Sequence, residues 1–318
     1  MTFDIYAEVK NANRIAISGH INPDGDCIGS SLALYFYLKK RMPDAEIVVF
    51  LEEPEAAFAH IPGADIIASD YNEEARFDAF IALDTTSDRM GKATPYFDAA
   101  KKTVNIDHHI SNASGCGMVN YVEPEASATS EMVVQMIPKE YMDATIASLL
   151  YMGIAHDTGV FKYSNTTAKT LRLVAELLEY EFDFSKLLDE TFYEKTFMQN
   201  RLLGRIVLDS ELYYEDKVIV GQAPQALMDE FGAKKSDFSG VVEQLRVTRG
   251  VVCAVFLYQK APGLFKVSMR SATDDVDVSK VAVAFGGGGH VRAAGVDMKG
   301  ELSEIKQAIL REIEKQLI

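Results

Sequence analysis

Four short apolar runs constrain this chain most: Arg14 to Ser18 (RIAIS), Glu46 to Phe50 (EIVVF), Phe80 to Leu83 (FIAL) and Thr103 to Ile106 (TVNI). Each ends in a polar loop, and the stretches between them are long enough for a helix or a crossover. That spacing predicts a mostly parallel sheet flanked by helices, an α/β fold. Cys27 to Lys40 carries apolar residues at helical spacing, and helical patterns dominate from about Thr129 to Leu188, including Asp143 to Met152 and Ala168 to Tyr180.

At a prior of roughly 150 residues per domain, the 318-residue chain has room for two. Residues 1–188 form the first. Residues 189–204, where Lys195, Gln199, Asn200 and Arg201 interleave with Phe192, Phe197 and Leu202, read as a polar linker helix. Residues 205–318 form a smaller α+β domain. There Arg205 to Tyr214 and Lys217 to Gly221 pair across Glu215-Asp216, and Val251 to Gln259 and Leu264 to Arg270 across Ala261-Pro262-Gly263. Helical stretches fall at Pro224 to Phe231, Phe238 to Arg246 and Glu301 to Leu317.

Composition excludes several classes. The formal net charge of −15 argues against a protein that grips long duplex nucleic acid by bulk electrostatics, while leaving room for a local basic pocket. No run approaches the ~20 apolar residues of a membrane span, and Asp4 and Glu8 stand where a signal peptide would be basic and then apolar. Three cysteines (Cys27, Cys116, Cys253) without CxxC spacing fit a reducing cytoplasm and neither a disulfide framework nor a thiolate zinc site. Any metal is then expected on histidine and carboxylate.

The strand ends carry such residues. Ile15 to Ser18 runs into Gly19-His20-Ile21-Asn22-Pro23-Asp24-Gly25-Asp26, Phe80 to Leu83 into Asp84, and Thr103 to Ile106 into Asp107-His108-His109. Asp157 follows a helix expected to end near Met152. Of six histidines, four (His20, His108, His109, His156) lie in these segments. Ligands of open parallel sheets bind beyond the carboxyl ends of the strands. Asp24 and Asp26, two apart, are expected to project from an extended loop to one side; the alternative is an Asx cap on the following helix. Asp84 and the His108-His109 pair have similar bland readings as a cap and a solvated loop, but together the four segments point to a site. Imidazole with carboxylate suits Mn²⁺, Fe²⁺ or Mg²⁺, with Zn²⁺ allowed. Asp24, Asp26, Asp84 and Asp157 would balance two divalent cations, and two such ions ~3.5–4 Å apart suit phosphate ester hydrolysis.

A second feature is the run Gly286-Gly287-Gly288-Gly289-His290-Val291-Arg292-Ala293-Ala294-Gly295. It follows Val281 to Phe285, so one reading is a helix C-cap and permissive turn. It is no Walker loop, and with no strand before it a dinucleotide fingerprint is weak. The functional reading is a backbone cradle for an anion, with His290, Arg292 and Arg270 as cationic partners.

With these residues in place, the sequence resembles the DHH family of phosphoesterases, named for the triplet seen here as Asp107-His108-His109. Gly19 to Asp26, Asp84, the triplet and Gly153 to Gly159 match its N-terminal motifs in order, and Gly286 to Gly295 matches its C-terminal DHH-associated domain. The size resembles the two-domain nanoRNA and pAp phosphatases (oligoribonucleases) and the stand-alone cyclic-di-AMP or pApA phosphodiesterases. The resemblance implies two divalent ions, Mn²⁺ first, with Mg²⁺ or Fe²⁺ as alternatives. His20, Asp24 and Asp84 would hold one ion, and Asp26, Asp84, His108 and Asp157 the other. Asp107 would orient a ligand imidazole, His109 would donate to the scissile phosphate, and Arg270, Gly288, Gly289, His290 and Arg292 would bind the rest of the substrate. His156 is left as a packing residue or one behind the ligands. The implied substrates are short RNA, dinucleotides and pAp in a cleft whose closure sets substrate length. Cyclic-di-AMP is the alternative, a non-hydrolysing nucleotide sensor the reading from another class. The C-terminal run argues against the family's pyrophosphatases. No membrane partner is expected, and a homodimer is left open.

Overall fold

The computed structural model describes residues 3–72 and 76–317; residues 1–2 and 318, the outer ends of the two assigned domains, lie outside them. The chain divides into two compact units between Glu194 and Lys195. This division falls inside the 189–204 stretch: Asp189–Tyr193 is a single π-helical turn of the first unit, and the helix after it belongs to the second.

The first unit runs α1 (Ile5–Val9), β1 (Arg14–Ser18), α2 (Gly25–Arg41), β2 (Glu46–Phe50), β3 (Ile67–Ala68), β4 (Ala79–Leu83), α3 (Thr94–Ala99), β5 (Thr103–Asp107), β6 (Val119–Val122), α4 (Thr129–Met136), α5 (Ala144–Asp157), α6 (Ala168–Leu178) and α7 (Phe184–Leu188). Its strands form one sheet in the order β3-β2-β1-β4-β5-β6, every pair parallel. Strand alternation explains why both faces are covered. Ile15, Ile17, Ile81, Leu83, Val104 and Ile106 pack with Ile28 and Leu32 of α2 and Leu150 and Ile154 of α5. On the other face Ala16, Phe80 and Ala82 pack with Phe97 of α3. A sheet buried on both faces needs nearly continuous apolar strands, which is what made these runs readable. β3 and β6 were not predicted, being two residues long and polar-interrupted respectively. The strand order reverses between β1 and β4, so their carboxyl ends open a crevice at the switch point.

The second unit runs α8 (Phe197–Leu208), β7 (Glu211–Tyr213), β8 (Val218–Ala223), α9 (Gln225–Phe231), α10 (Val241–Arg246), β9 (Cys253–Ala261), β10 (Leu264–Ser271), α11 (Val278–Ala284), β11 (Gly288–His290), β12 (Ala293–Lys299) and α12 (Leu302–Glu314). Its sheet has the order β11-β12-β10-β9-β8-β7, with β8 and β9 parallel and the other pairs antiparallel.

Two expectations are corrected here. The strand expected from Arg205 is helical as far as Leu208, because Thr196 and Gln199 form a capping box that starts α8. Leu202 and Ile206, four apart, bury one helical face against Phe256 of β9, so α8 is a core element and not a polar linker. The glycine run, expected as a turn after a helix, does leave α11, but Gly288–His290 then forms the edge strand β11 against β12. A Cβ on Gly289 would lie 2.4 Å from the Ala293 carbonyl oxygen, so the close pairing requires glycine there.

Candidate metal centre

The switch-point crevice collects the predicted ligands. His20 lies two residues beyond β1, Asp84 one beyond β4, and Asp107 is the last residue of β5. Asp84 adopts a left-handed backbone (φ 55°), which asparagine and aspartate tolerate better than other side chains. Its Oδ2 lies 3.4 Å from Nε2 of His20, and its Oδ1 lies 3.5 Å from Nε2 of His108. One carboxylate thus faces two imidazoles, one from each oxygen. His20 Nε2 is also 3.6 Å from Asp24 Oδ2, and His108 Nε2 is 3.0 Å from Asp157 Oδ2. Ligand atoms of Asp26, His108 and Asp157 lie within 4.8 Å of one another. All six predicted metal ligands are therefore brought together.

The local structure differs from the expected extended loop. Asp24 is the N-cap of α2, its Oδ1 accepting from the backbone N–H of Asp26 and Cys27 at 3.1 Å, while its Oδ2 faces His20. The cap uses one oxygen and leaves the other turned toward His20. Asp26 sits in the first helical turn, fully buried, with its oxygens accepting from the backbone N–H of Thr129 (2.7 Å) and Ser130 (2.8 Å) at the start of α4. Likewise α5 does not stop near Met152 but runs on to Asp157, its last residue. Gly153 permits this: a Cβ there would fall 2.8 Å from Asp26 Oδ1.

The donor set fits divalent cations on two observations. His20 donates from Nδ1 to the Ile21 carbonyl (2.9 Å), and His108 from Nδ1 to the Ala126 carbonyl (3.2 Å). A carbonyl can only accept, so in the neutral ring the Nε2 lone pair is turned toward carboxylate oxygens. That arrangement needs a proton or a metal ion between the partners. Protons show the strength of the demand. Burial opposes charge on His20, yet hydrogen bonds to Asp24 and Asp84 push it up to about 10. On His108, burial is again outweighed, by Asp157 and Asp84, and its pKa rises to about 12. Against its own burial, Asp84 is held well below the usual carboxylate range by His108 and His20. Burial, then Asp84 and Asp157, push the Asp26 carboxyl well up, so two N–H groups alone do not settle its charge. Asp157 is raised to about 6, mainly by burial.

His109 and Asp107 form a separate pair. Asp107 Oδ1 accepts from the His109 backbone N–H (3.1 Å) and from its Nδ1 (2.7 Å), and Asp107 Oδ2 accepts from Asn112 Nδ2 (2.6 Å). Asp107 therefore orients His109 and not an imidazole of the expected ligand set. The same hydrogen bond, against burial, raises the His109 pKa and so favours the imidazolium, the form in which Nε2 also carries a hydrogen. Asn112 is itself fixed on Asn105 Oδ1 (2.8 Å). The sequence reading missed Asn105 and Asn112, although a buried asparagine in TVNI was a visible irregularity. It also missed Thr129, whose hydroxyl donates to Asp84 Oδ1 (3.2 Å). Cys27 Sγ lies within 4.8 Å of ligand atoms of His20 and Asp84, but burial, with Asp84 and Asp24, pushes its thiol well up, and the S–H points at the His20 carbonyl.

His156 packs instead of coordinating. Its ring lies between Phe58 and Phe192, its Nε2 is 3.2 Å from Thr191 Oγ1, and burial lowers its pKa to about 4. A Cβ on Gly25 would fall 2.3 Å from this ring. Because the two phenyl rings leave the imidazole little room to retreat, Gly25→Ala is expected to cost about 1–3 kcal/mol of stability, read as a lower urea midpoint.

In the second unit, Arg270 on β10 and His290 on β11 both lie in register with Ala293 of β12, so they share one face across a small central residue. Arg292 follows in the β11–β12 turn, with its Nη2 2.7 Å from Asp274 Oδ1. Gly288 and Gly289 form the exposed edge beside them.

The DHH family N-terminal domain matches residues 14–154, and the DHHA1 domain matches residues 215–317. Among curated relatives, the bifunctional oligoribonuclease and PAP phosphatase NrnA of Thermus thermophilus is 31% identical, covering 98% of this chain and 94% of its own. The protein of the same name from Bacillus subtilis is 27% identical over 94% and 93%. Among solved structures, an exopolyphosphatase-related protein from Bacteroides fragilis aligns with a TM-score of 0.87 at 24% identity, covering 96% of this chain and 94% of that one, a likeness of fold. With full-length identity to such a relative and both domains in order, the chain belongs to the DHH family of phosphoesterases, hydrolases that use divalent metals, and carries a C-terminal DHHA1 domain.

Proposed function

We propose that this chain is a metal-dependent phosphoesterase that hydrolyses short 5′-phosphorylated oligoribonucleotides, such as pApA, to mononucleotides, and pAp to AMP, in a reducing cytoplasm. The observation that carries the reading is Asp84, each of whose oxygens faces a different imidazole. The names of the relatives supply the substrate class. His20, Asp24 and Asp84 would hold one divalent cation, and Asp26, Asp84, His108 and Asp157 a second, with Mn²⁺ the first choice for imidazole and carboxylate. Two such cations supply Lewis acidity toward a phosphoryl oxygen and make water acidic near neutral pH. The chain's residues do the rest. Asp107 and Asn112 hold the His109 ring, which as the imidazolium would offer its Nε2–H to a phosphoryl or leaving oxygen. The α4 backbone amides fix Asp26. Arg270, His290 and Arg292, with the Gly288-Gly289 edge, are assigned to a phosphate other than the one attacked.

The test is hydrolysis by chelator-stripped and Mn²⁺-restored protein of pApA, pAp, cyclic-di-AMP and a longer RNA, with products separated. AMP released from pApA only with the cation is the expected result, faster than from the longer RNA. A faster rate on cyclic-di-AMP would replace the substrate assignment, and tight dinucleotide binding without any product would replace the reading by a sensor.

A further inference from the structure

The register that puts Arg270 on one face of the second sheet also puts it under α10. Arg270 is paired with Ala254 of β9, and Ala254, Phe256 and Tyr258 pack with Val241, Val242 and Leu245 of α10. From that helix Glu243 reaches Arg270, its Oε1 accepting from Arg270 Nε at 2.5 Å. Its other oxygen, Oε2, accepts from Arg246 Nε at 2.8 Å. The three side chains are partly buried, at 31%, 34% and 19% exposure for Arg270, Glu243 and Arg246.

The atoms used decide what this cluster can do. Glu243 takes both arginines through Nε, and among the described residues the outer guanidinium edges make one bond, from Arg270 Nη1 to the Met269 carbonyl (3.0 Å). A pair made only for stability would more often take the two-pronged fork of one arginine on both carboxylate oxygens. Two guanidinium charges against one carboxylate also leave a positive excess, in a chain whose formal charge is −15. On the same face, Ala293 keeps the space beside Arg270 open toward His290.

We infer that Arg246 and Arg270, held apart and aimed by Glu243, form a clamp for a phosphate monoester, namely the terminal 5′-phosphate of the substrate. Arg246 contacts the phosphate; Glu243 is a positioning residue. The inference rests on the reading above that short 5′-phosphorylated oligoribonucleotides are the substrate, and it adds the group by which they are told from unphosphorylated ones.

Two measurements on the full-length protein test it. The first is the ratio of kcat/KM for pApA to that for ApA, with Mn²⁺ present, in the parent, Arg246→Gln, Glu243→Gln and Arg249→Gln, the last altering an exposed arginine outside the cluster. The second is ³¹P NMR titration of AMP onto the chelated protein. Loss of one charged hydrogen-bonding partner should lower the ratio in Arg246→Gln by about 10–100-fold and weaken AMP binding comparably. Glu243→Gln should lower the ratio by a smaller factor, and Arg249→Gln should keep the parent's ratio. Equal losses on pApA and ApA, or AMP affinity unchanged in Arg246→Gln, would overturn the clamp. If the parent hydrolyses neither dinucleotide, the substrate reading fails, and the AMP titration still decides the clamp by itself.

Discussion

Asp84→Asn is expected to lower kcat on pApA by at least about 10³-fold while leaving the far-ultraviolet circular dichroism of the chain unchanged. The amide keeps the shape and the Thr129 contact but can offer a cation only one oxygen, so it cannot serve both imidazoles at once. Transition-state charge stabilisation by such ions amounts to several kcal/mol, and about 4 kcal/mol corresponds to that factor. A second reading comes from stability. Binding at a hundred times Kd adds about 2.7 kcal/mol, so Mn²⁺ should raise the unfolding temperature of the parent and raise that of Asp84→Asn far less. Activity within tenfold of the parent would remove Asp84 from the centre of the mechanism.

The second large effect is expected at His109. His109→Gln should reduce kcat by about 10²–10⁴-fold, the usual range for a positioned proton donor, with the Mn²⁺-dependent rise in unfolding temperature retained because the six proposed ligands are untouched. That split separates His109 from His108, whose loss should reduce both. Asp107→Asn keeps the ring but weakens its support and is expected to cost about 10–100-fold. Parallel losses of activity and Mn²⁺ stabilisation in His109→Gln would instead make His109 a ligand, as its 3.4 Å approach to Asp84 Oδ1 would then explain.

The strand ends were legible because a doubly covered sheet writes its strands as apolar runs, and whatever charged residue follows must face the crevice or solvent. Asp84, Asp107 and His108 follow from that logic. What escaped was non-local. That the α4 amides hold Asp26 depends on a contact 103 residues away in sequence. α5, expected to end near Met152, continues to Asp157 through Gly153, a poor helix former, and the packing of Asp26 and Ser130 against that position explains why glycine is there. In the second unit, Arg205 to Leu208 has the β-branched texture of a strand, yet the capping box upstream and the core contacts of Ile206 override propensity. The edge strand at Gly288 could not be read, since glycine carries no strand signal and its pairing is set by β12.

The two kinds of helix end at the crevice are not equivalent. α2 and α4 present their N-termini, where peptide dipoles sum to partial positive charge, and their backbone N–H groups point at oxygens of Asp24 and Asp26. α5 presents its C-terminus, where the dipole is negative, and ends on Asp157. A carboxylate there is disfavoured by about 0.3–1 kcal/mol relative to a neutral group, a cost that adds to the burial already raising the Asp157 carboxyl to about 6. The end of α5 thus opposes charge on Asp157, and the positive charge that offsets it comes from outside the helix, from the His108 ring 3.0 Å away.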